Sequence, residues 1–149
     1  MADNFGNMTI TAANCTLFLT VPGLYDSPVQ IEGFSTDAMV SVATNTPVVA
    51  EKGVDGHTSF GWVPTNKEVT ITLAADSPSR QIMEDWATYQ ETAREVMLCN
   101  PEFAMPSINR KITGKRGGLT SVQSSPNAAQ TLQASAFVIT FDQWTASPL

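Results

Sequence analysis

Histidine and cysteine are scarce in this sequence, with one His and two Cys among 149 residues. That scarcity excludes the usual zinc centres, which need a full set of imidazole and thiolate ligands. No HExxH, CxxC or calcium-loop motif occurs, so neither a metal nor a cofactor is expected. Charge is thin as well: Asp, Glu, Lys and Arg make up 15%, and 14 acids against 8 bases leave a net charge of −6. A protein that grips nucleic acid neutralises phosphates with Lys and Arg, so this balance excludes that class; such a surface repels DNA. No apolar run approaches the length of a membrane span, and no basic, apolar leader opens the chain. The expectation is a soluble product made in the cytoplasm, with no membrane partner.

Catalytic signatures are missing too. His57 lies beside Asp55, but no G-x-S-x-G elbow supplies a nucleophile. Gly114-Lys115-Arg116-Gly117-Gly118 is glycine-rich and basic, yet it lacks the upstream glycine of a phosphate loop and opens no helix. The reading is therefore a protein that is not an enzyme, without catalytic, cofactor or metal residues. A domain of this length buries about two thirds of its unfolded surface without staples. Cys15 and Cys99 are accordingly expected as reduced thiols in or near the core.

What the sequence does contain is alternation. In 9–21, Cys15, Leu17, Leu19 and Val21 fall on one face of a strand, with Thr16, Phe18 and Thr20 on the other. A turn-rich connection over 22–28 leads to a short strand over 29–34 and another over 38–42. Residues 44–61 are small and polar, with reversals at Asn45-Thr46-Pro47 and at Val54-Asp55-Gly56. Asp55-Gly56 is a two-residue hairpin signal, so a protruding hairpin or loop is expected there. Lys67 to Leu73 is the cleanest strand, with Val69, Ile71 and Leu73 on one face. After the helix, 103–113 is extended but broken by Pro106. Gly114 to Gly118 then reads as a hairpin turn, followed by a strand over 119–123. The chain closes with 134–144, where Phe137, Ile139 and Phe141 alternate with Val138 and Thr140.

A single helix interrupts this pattern at about 79–97. Ile82, Trp86, Tyr89, Ala93 and Val96 recur at helical spacing and form one apolar stripe. Ser77 or Asp76 suits the N-cap, Pro78 the first turn, and Asn100-Pro101 the stop. Glu84, Asp85, Glu91 and Glu95, interleaved with Arg80 and Arg94, read as its solvated face. Arg110, Lys111, Lys115 and Arg116 crowd one stretch, read as a solvated hairpin tip or a contact for an acidic neighbour. Trp62 and Trp144 near strand ends read as closing the core, the alternative being an interface anchor. The fold class is mainly β: one domain over 1–149, a small barrel or sandwich of about seven strands with one helix on it.

The order of Ile31-Glu32-Gly33-Phe34-Ser35-Thr36-Asp37, long hairpin, Val69-Thr70-Ile71-Thr72-Leu73, Ser77-Pro78-Ser79, one helix and Phe137-Val138-Ile139-Thr140-Phe141-Asp142 resembles tail tube proteins of contractile-tailed bacteriophages. The resemblance covers about residues 9–145 and extends to the related type VI secretion tube. It implies hexameric rings stacked head to tail into a cylinder in the virion tail, with sheath and baseplate proteins as partners. Double-stranded DNA would pass through the lumen without specific binding. Alternatives are a ring at the baseplate or tail terminus, a monomeric β-sandwich binding module and, last, a small enzyme.

Overall fold

The computed structural model describes residues 9–34 and 39–149. Among these residues nine strands and one α-helix follow one another: β1 Thr16–Val21, β2 Tyr25–Ile31, β3 Val40–Val42, β4 Val48–Lys52, β5 Thr58–Trp62, β6 Lys67–Leu73, α1 Arg80–Ala93, β7 Glu102–Met105, β8 Arg110–Val122 and β9 Ser135–Pro148. Seven strands join into a curled half-barrel, in the order β2-β1-β7-β8-β9-β6-β3, while β4 and β5 pair apart from it. Every pairing is antiparallel. The mainly β fold with one helix is as the alternation implies. Ala38, expected at the start of a strand, and Ser35-Thr36-Asp37 lie outside the described residues.

The core is the apolar face of this sheet, with α1 laid across it. Leu17, Leu19 and Val21 from β1, Val69, Ile71 and Leu73 from β6, and Phe137, Ile139 and Phe141 from β9 are all buried, as their alternation requires. The helix buries Met83 and Trp86 against them, with Ile82 and Ala87 partly buried beside. Trp86 also donates its indole N–H to the Met97 carbonyl at 3.0 Å, which satisfies the ring's polar atom. The buried stripe is therefore shorter than the expected one. Tyr89 is exposed, Ala93 is exposed, and Val96, 62% exposed, lies past the helix end.

The helix is set by contacts the periodicity does not record. Its N-cap is Ser79, whose side chain makes no capping bond. Instead the Glu32 N–H donates to Ser79 Oγ at 2.7 Å, and Ser77 Oγ donates to the Glu32 carbonyl. Two serines thus tie the start of α1 to the chain leaving β2. The helix stops at Arg94, in the left-handed region at φ 54°, well before Asn100-Pro101. Beyond it the chain rejoins the sheet: Cys99 exchanges backbone bonds with Gly117 at 2.8 and 3.0 Å, and the Asn100 N–H donates to Thr20.

The expected turn at Gly114 to Gly118 is corrected by the structure. Those residues are the middle of β8, which pairs with β9 from Arg110↔Pro148 to Val122↔Phe137. Glycine stands there because the Phe141 ring lies across the strand. A Cβ on Gly117 would come within 2.2 Å of Phe141 Cε1, and one on Gly114 within 3.0 Å of Phe141 Cδ1. Close approach, and not a reversal, is what these glycines serve. Smaller differences follow from local bonds. The reversal after β1 is complete by Leu24, whose N–H donates to Val21 at 3.0 Å, so β2 begins at Tyr25. The β4–β5 loop spans 53–57, closed by the Gly53 N–H on His57 at 2.8 Å, in place of a two-residue turn.

Gly117→Ala should lower stability by about 1–3 kcal/mol in chemical denaturation, the usual cost of overpacking. Phe141→Leu in the same chain should recover part of that loss; a strictly additive double mutant would show that the ring is not what excludes the methyl.

Candidate assembly surfaces

Residues weighed as chemistry are scattered. His57 sits in the exposed loop at the hairpin tip, where its backbone N–H donates to Asp55 Oδ1 at 3.1 Å. Among the described residues no group of three His, Cys, Asp or Glu is placed to hold a metal. Cys15 is half-buried and Cys99 buried, both as free thiols. Burial pushes the Cys99 thiol up to about 12.

Arg80 departs from the expected solvated face. It is 7% exposed, with its guanidinium 5.9 Å from the Phe137 ring centre. Its Nε pairs with Glu84 Oε1 at 2.9 Å and its Nη1 donates to Ser135 Oγ, while Nη2 has no partner among the described residues. The guanidinium is itself buried, set between the Ser135 hydroxyl, the face of Phe137 and a half-exposed carboxylate, a placement that sequence periodicity does not separate from surface charge. The other acids do lie outward. Asp85 accepts from the Tyr25 hydroxyl at 3.1 Å; burial, then that bond and the carboxylate charge, hold the phenol above its usual range.

The basic stretch is not a tip. Arg110, Lys111, Lys115 and Arg116 are strung along β8, with Arg116 at φ 54° and its N–H near Asn100 Oδ1. The two tryptophans divide. Trp144 packs on Phe141 with ring centres 4.9 Å apart, so it closes the core. Trp62 does not: it is 72% exposed on β5, as is Phe60.

Exposed apolar surface concentrates in two places. One is the β4–β5 hairpin, where Val48, Phe60 and Trp62 face outward. Its two strands pair with each other apart from the seven-stranded sheet. The other is a groove of about 560 Å³ beside the end of α1, lined by Glu84, Ala87, Glu91, Glu95, Leu119 and Val122 among others. The sequence signals the first through its separated reversals. The second is invisible there, since it joins residues some thirty positions apart. Among the described residues the sheet also ends in two strands with an unpaired side, β2 and β3, and Pro28 sits within β2 as an edge permits.

A family model described as tail fiber protein gp32 matches residues 8–145. No curated protein matches the chain. Among solved structures, a chain of the PVC sheath-tube complex in the extended state, from an extracellular contractile injection system, aligns with a TM-score of 0.63 at 10% identity, covering 100% of this chain and 98% of that one. A chain of the anti-feeding prophage cap, the tube terminating cap, gives 0.61 at 12% identity over 95% and 92%. A chain of the anti-feeding prophage baseplate gives 0.58 at 8% identity over 95% and 98%. These likenesses establish a shared fold over nearly the full length of each chain.

The buried thiol gives a pH test. Below pH 9.0, the ordinary thiol value, Cys99 is neutral in both states and its burial contributes in full. Between there and about 12 the unfolded thiol ionises and the folded one does not, so stability is lost as pH rises. Melting temperatures should fall more steeply across that window for the parent than for Cys99→Ala; equal slopes would mean water reaches the thiol.

Proposed function

Because the chain belongs to the tail fiber protein gp32 family, we propose that it is a structural, non-catalytic subunit of a contractile tail. Its rings, six-fold by the resemblance, would stack into the tail tube. The observation that carries this reading is the open seven-stranded sheet, whose edges at β2 and β3 are unpaired among the described residues. Exposed edges invite uncontrolled pairing, and a ring of subunits removes them by joining each edge to a neighbour. The full-length likeness to a chain of a sheath-tube complex supports it. So does the face of the sheet opposite the core, where Thr70, Thr72, Thr120 and Thr140 present hydroxyls and Thr120 and Thr140 bond to each other at 3.1 Å. A hydroxyl-rich wall on a subunit of net charge −6 suits a lumen that passes DNA without retaining it. Sheath and baseplate proteins are then the outer and terminal partners, and the virion tail the location.

A second reading is a single ring at the tail terminus or baseplate. Chains of a terminating cap and of a baseplate align at TM-scores of 0.61 and 0.58, close to the 0.63 of the sheath-tube chain. Negative-stain microscopy of the concentrated protein separates the readings. Tubes are expected of the first, isolated rings of the second; a monomer at every concentration would defeat both.

A further inference from the structure

Arg116 holds a conformation that its neighbours could adopt at no cost. Its φ of 54° lies in the left-handed region, which glycine enters freely, yet Gly114, Gly117 and Gly118 around it all keep negative or extended φ. A non-glycine residue held there within a strand points to a side chain with a task at that place.

The backbone determines where that side chain goes. Between the pairs Cys99↔Gly117 and Glu102↔Thr113, β8 has one residue more than the chain beside it, a bulge held by the Arg116 N–H on Asn100 Oδ1 at 3.4 Å. A Cβ on Gly114 and one on Gly117 would both strike the Phe141 ring, so both positions face the core. Two core-facing positions three apart leave Lys115 and Arg116 together on the opposite face. At the same level of β9, Phe141 and Trp144 both pack on the core, which turns Asp142 and Gln143 to the side of the two bases. Ile112 pairs with the core-packed Phe103, so Lys111 shares that face, about 13 Å along the strand from Lys115 at roughly 3.3 Å per residue.

The result is a cationic notch of about 480 Å³, lined by Lys115, Arg116, Asn100, Thr113 and Gln143, with Asp142 as its one acid. Among the described residues the one ion pair is that of Arg80 with Glu84, so Asp142 neutralises neither base by direct contact. Two cations beside two amide side chains and a hydroxyl make a donor set suited to phosphate oxygens. Thr120 and Thr140 lie on this same face, the wall read above as the lumen.

Resting on the subunit reading above, we propose that Lys115 and Arg116, continued by Lys111, form a phosphate-contact track on the lumen face that meets the backbone of double-stranded DNA as it passes. The acid excess of the chain repels the duplex as a whole, but at physiological salt that repulsion is screened beyond about 8 Å, so a base on the wall acts on the phosphate nearest it. Asp142 beside the pair keeps each contact weak. Phosphate contacts carry no sequence information, so the track treats every duplex alike, and weak contacts repeated round a ring let it move.

Anisotropy of a short fluorescent duplex with the assembled full chain, over about 50 to 200 mM salt, tests the track. Weak binding that falls with salt is expected. Lys115→Gln with Arg116→Gln should weaken it roughly tenfold and flatten the salt dependence, as the loss of phosphate contacts does. Gln81→Glu with Thr92→Glu makes the same change in net charge at exposed positions of α1 and should leave binding near the parent; an equal loss there would overturn the site in favour of net charge. Arg116→Gly should bind more weakly yet melt no lower than the parent, because glycine takes this φ without strain. A clearly lower melting temperature would make the arginine structural and overturn its assignment. Displacement of the duplex by inorganic phosphate at matched ionic strength would make the notch a site for a free anion, and equal binding of oligoglutamate through the same bases would make the partner an acidic protein; either overturns the DNA track. Wild-type tubes that bind no duplex overturn the track and leave the subunit reading intact, whereas protein that forms neither rings nor tubes overturns the subunit reading and the track with it.

Discussion

One helix covering one face of an open sheet is the constraint on which the rest depends. Met83 and Trp86 are the residues of α1 that reach the core fully, and between them they cover apolar surface contributed by β1, β6 and β9. Losing a buried aromatic of that size from such a core costs about 3–5 kcal/mol, a large share of what a domain has to spare. The helix is therefore pinned at both ends by bonds that are not helical. Ser77 and Ser79 hold its start to the chain after β2, and the Met97 carbonyl, reached by Trp86, holds the segment beyond its end. With these in place the apolar face of the sheet is satisfied. The strand edges and the hairpin are not.

The buried guanidinium of Arg80 fits the same geometry. The first residue of α1 must lie against Ser135 and Phe137 if Met83 and Trp86 are to reach the core. A charge so placed is costly unless paired, and it is held by Glu84 one turn on, at 2.9 Å. Glu84 is half-exposed, so the pair is partly screened and its net contribution is small. Its consequence is positional: it fixes the carboxylate of Glu84 at one side of the groove.

Most of the sheet is legible in the sequence because burial on one face forces alternation. β1, β6 and β9 carry it over their full core-facing lengths, and their positions follow directly. The helix is legible as an element, but its end is not. Arg94 adopts the left-handed conformation with neither Gly nor Asn to signal it. β8 misleads for the opposite reason. Gly114 and Gly117, of a type that usually marks a reversal, are there to admit the ring of Phe141, more than twenty residues away. Exposed Trp62 misleads similarly, since side-chain type alone does not separate a core aromatic from an interface one. The groove combines both failures: its walls come from α1 and β8, and no local pattern joins them.

The uncovered surfaces bear on how the subunit is used. An exposed aromatic hairpin face is an aggregation hazard in a molecule with nothing beyond it. Trp62 and Phe60 are each 72% exposed, so this face calls for cover by a neighbouring molecule. The same holds for the outer sides of β2 and β3, which no described strand pairs. Assembly supplies cover at both places, whereas a monomer leaves both to solvent.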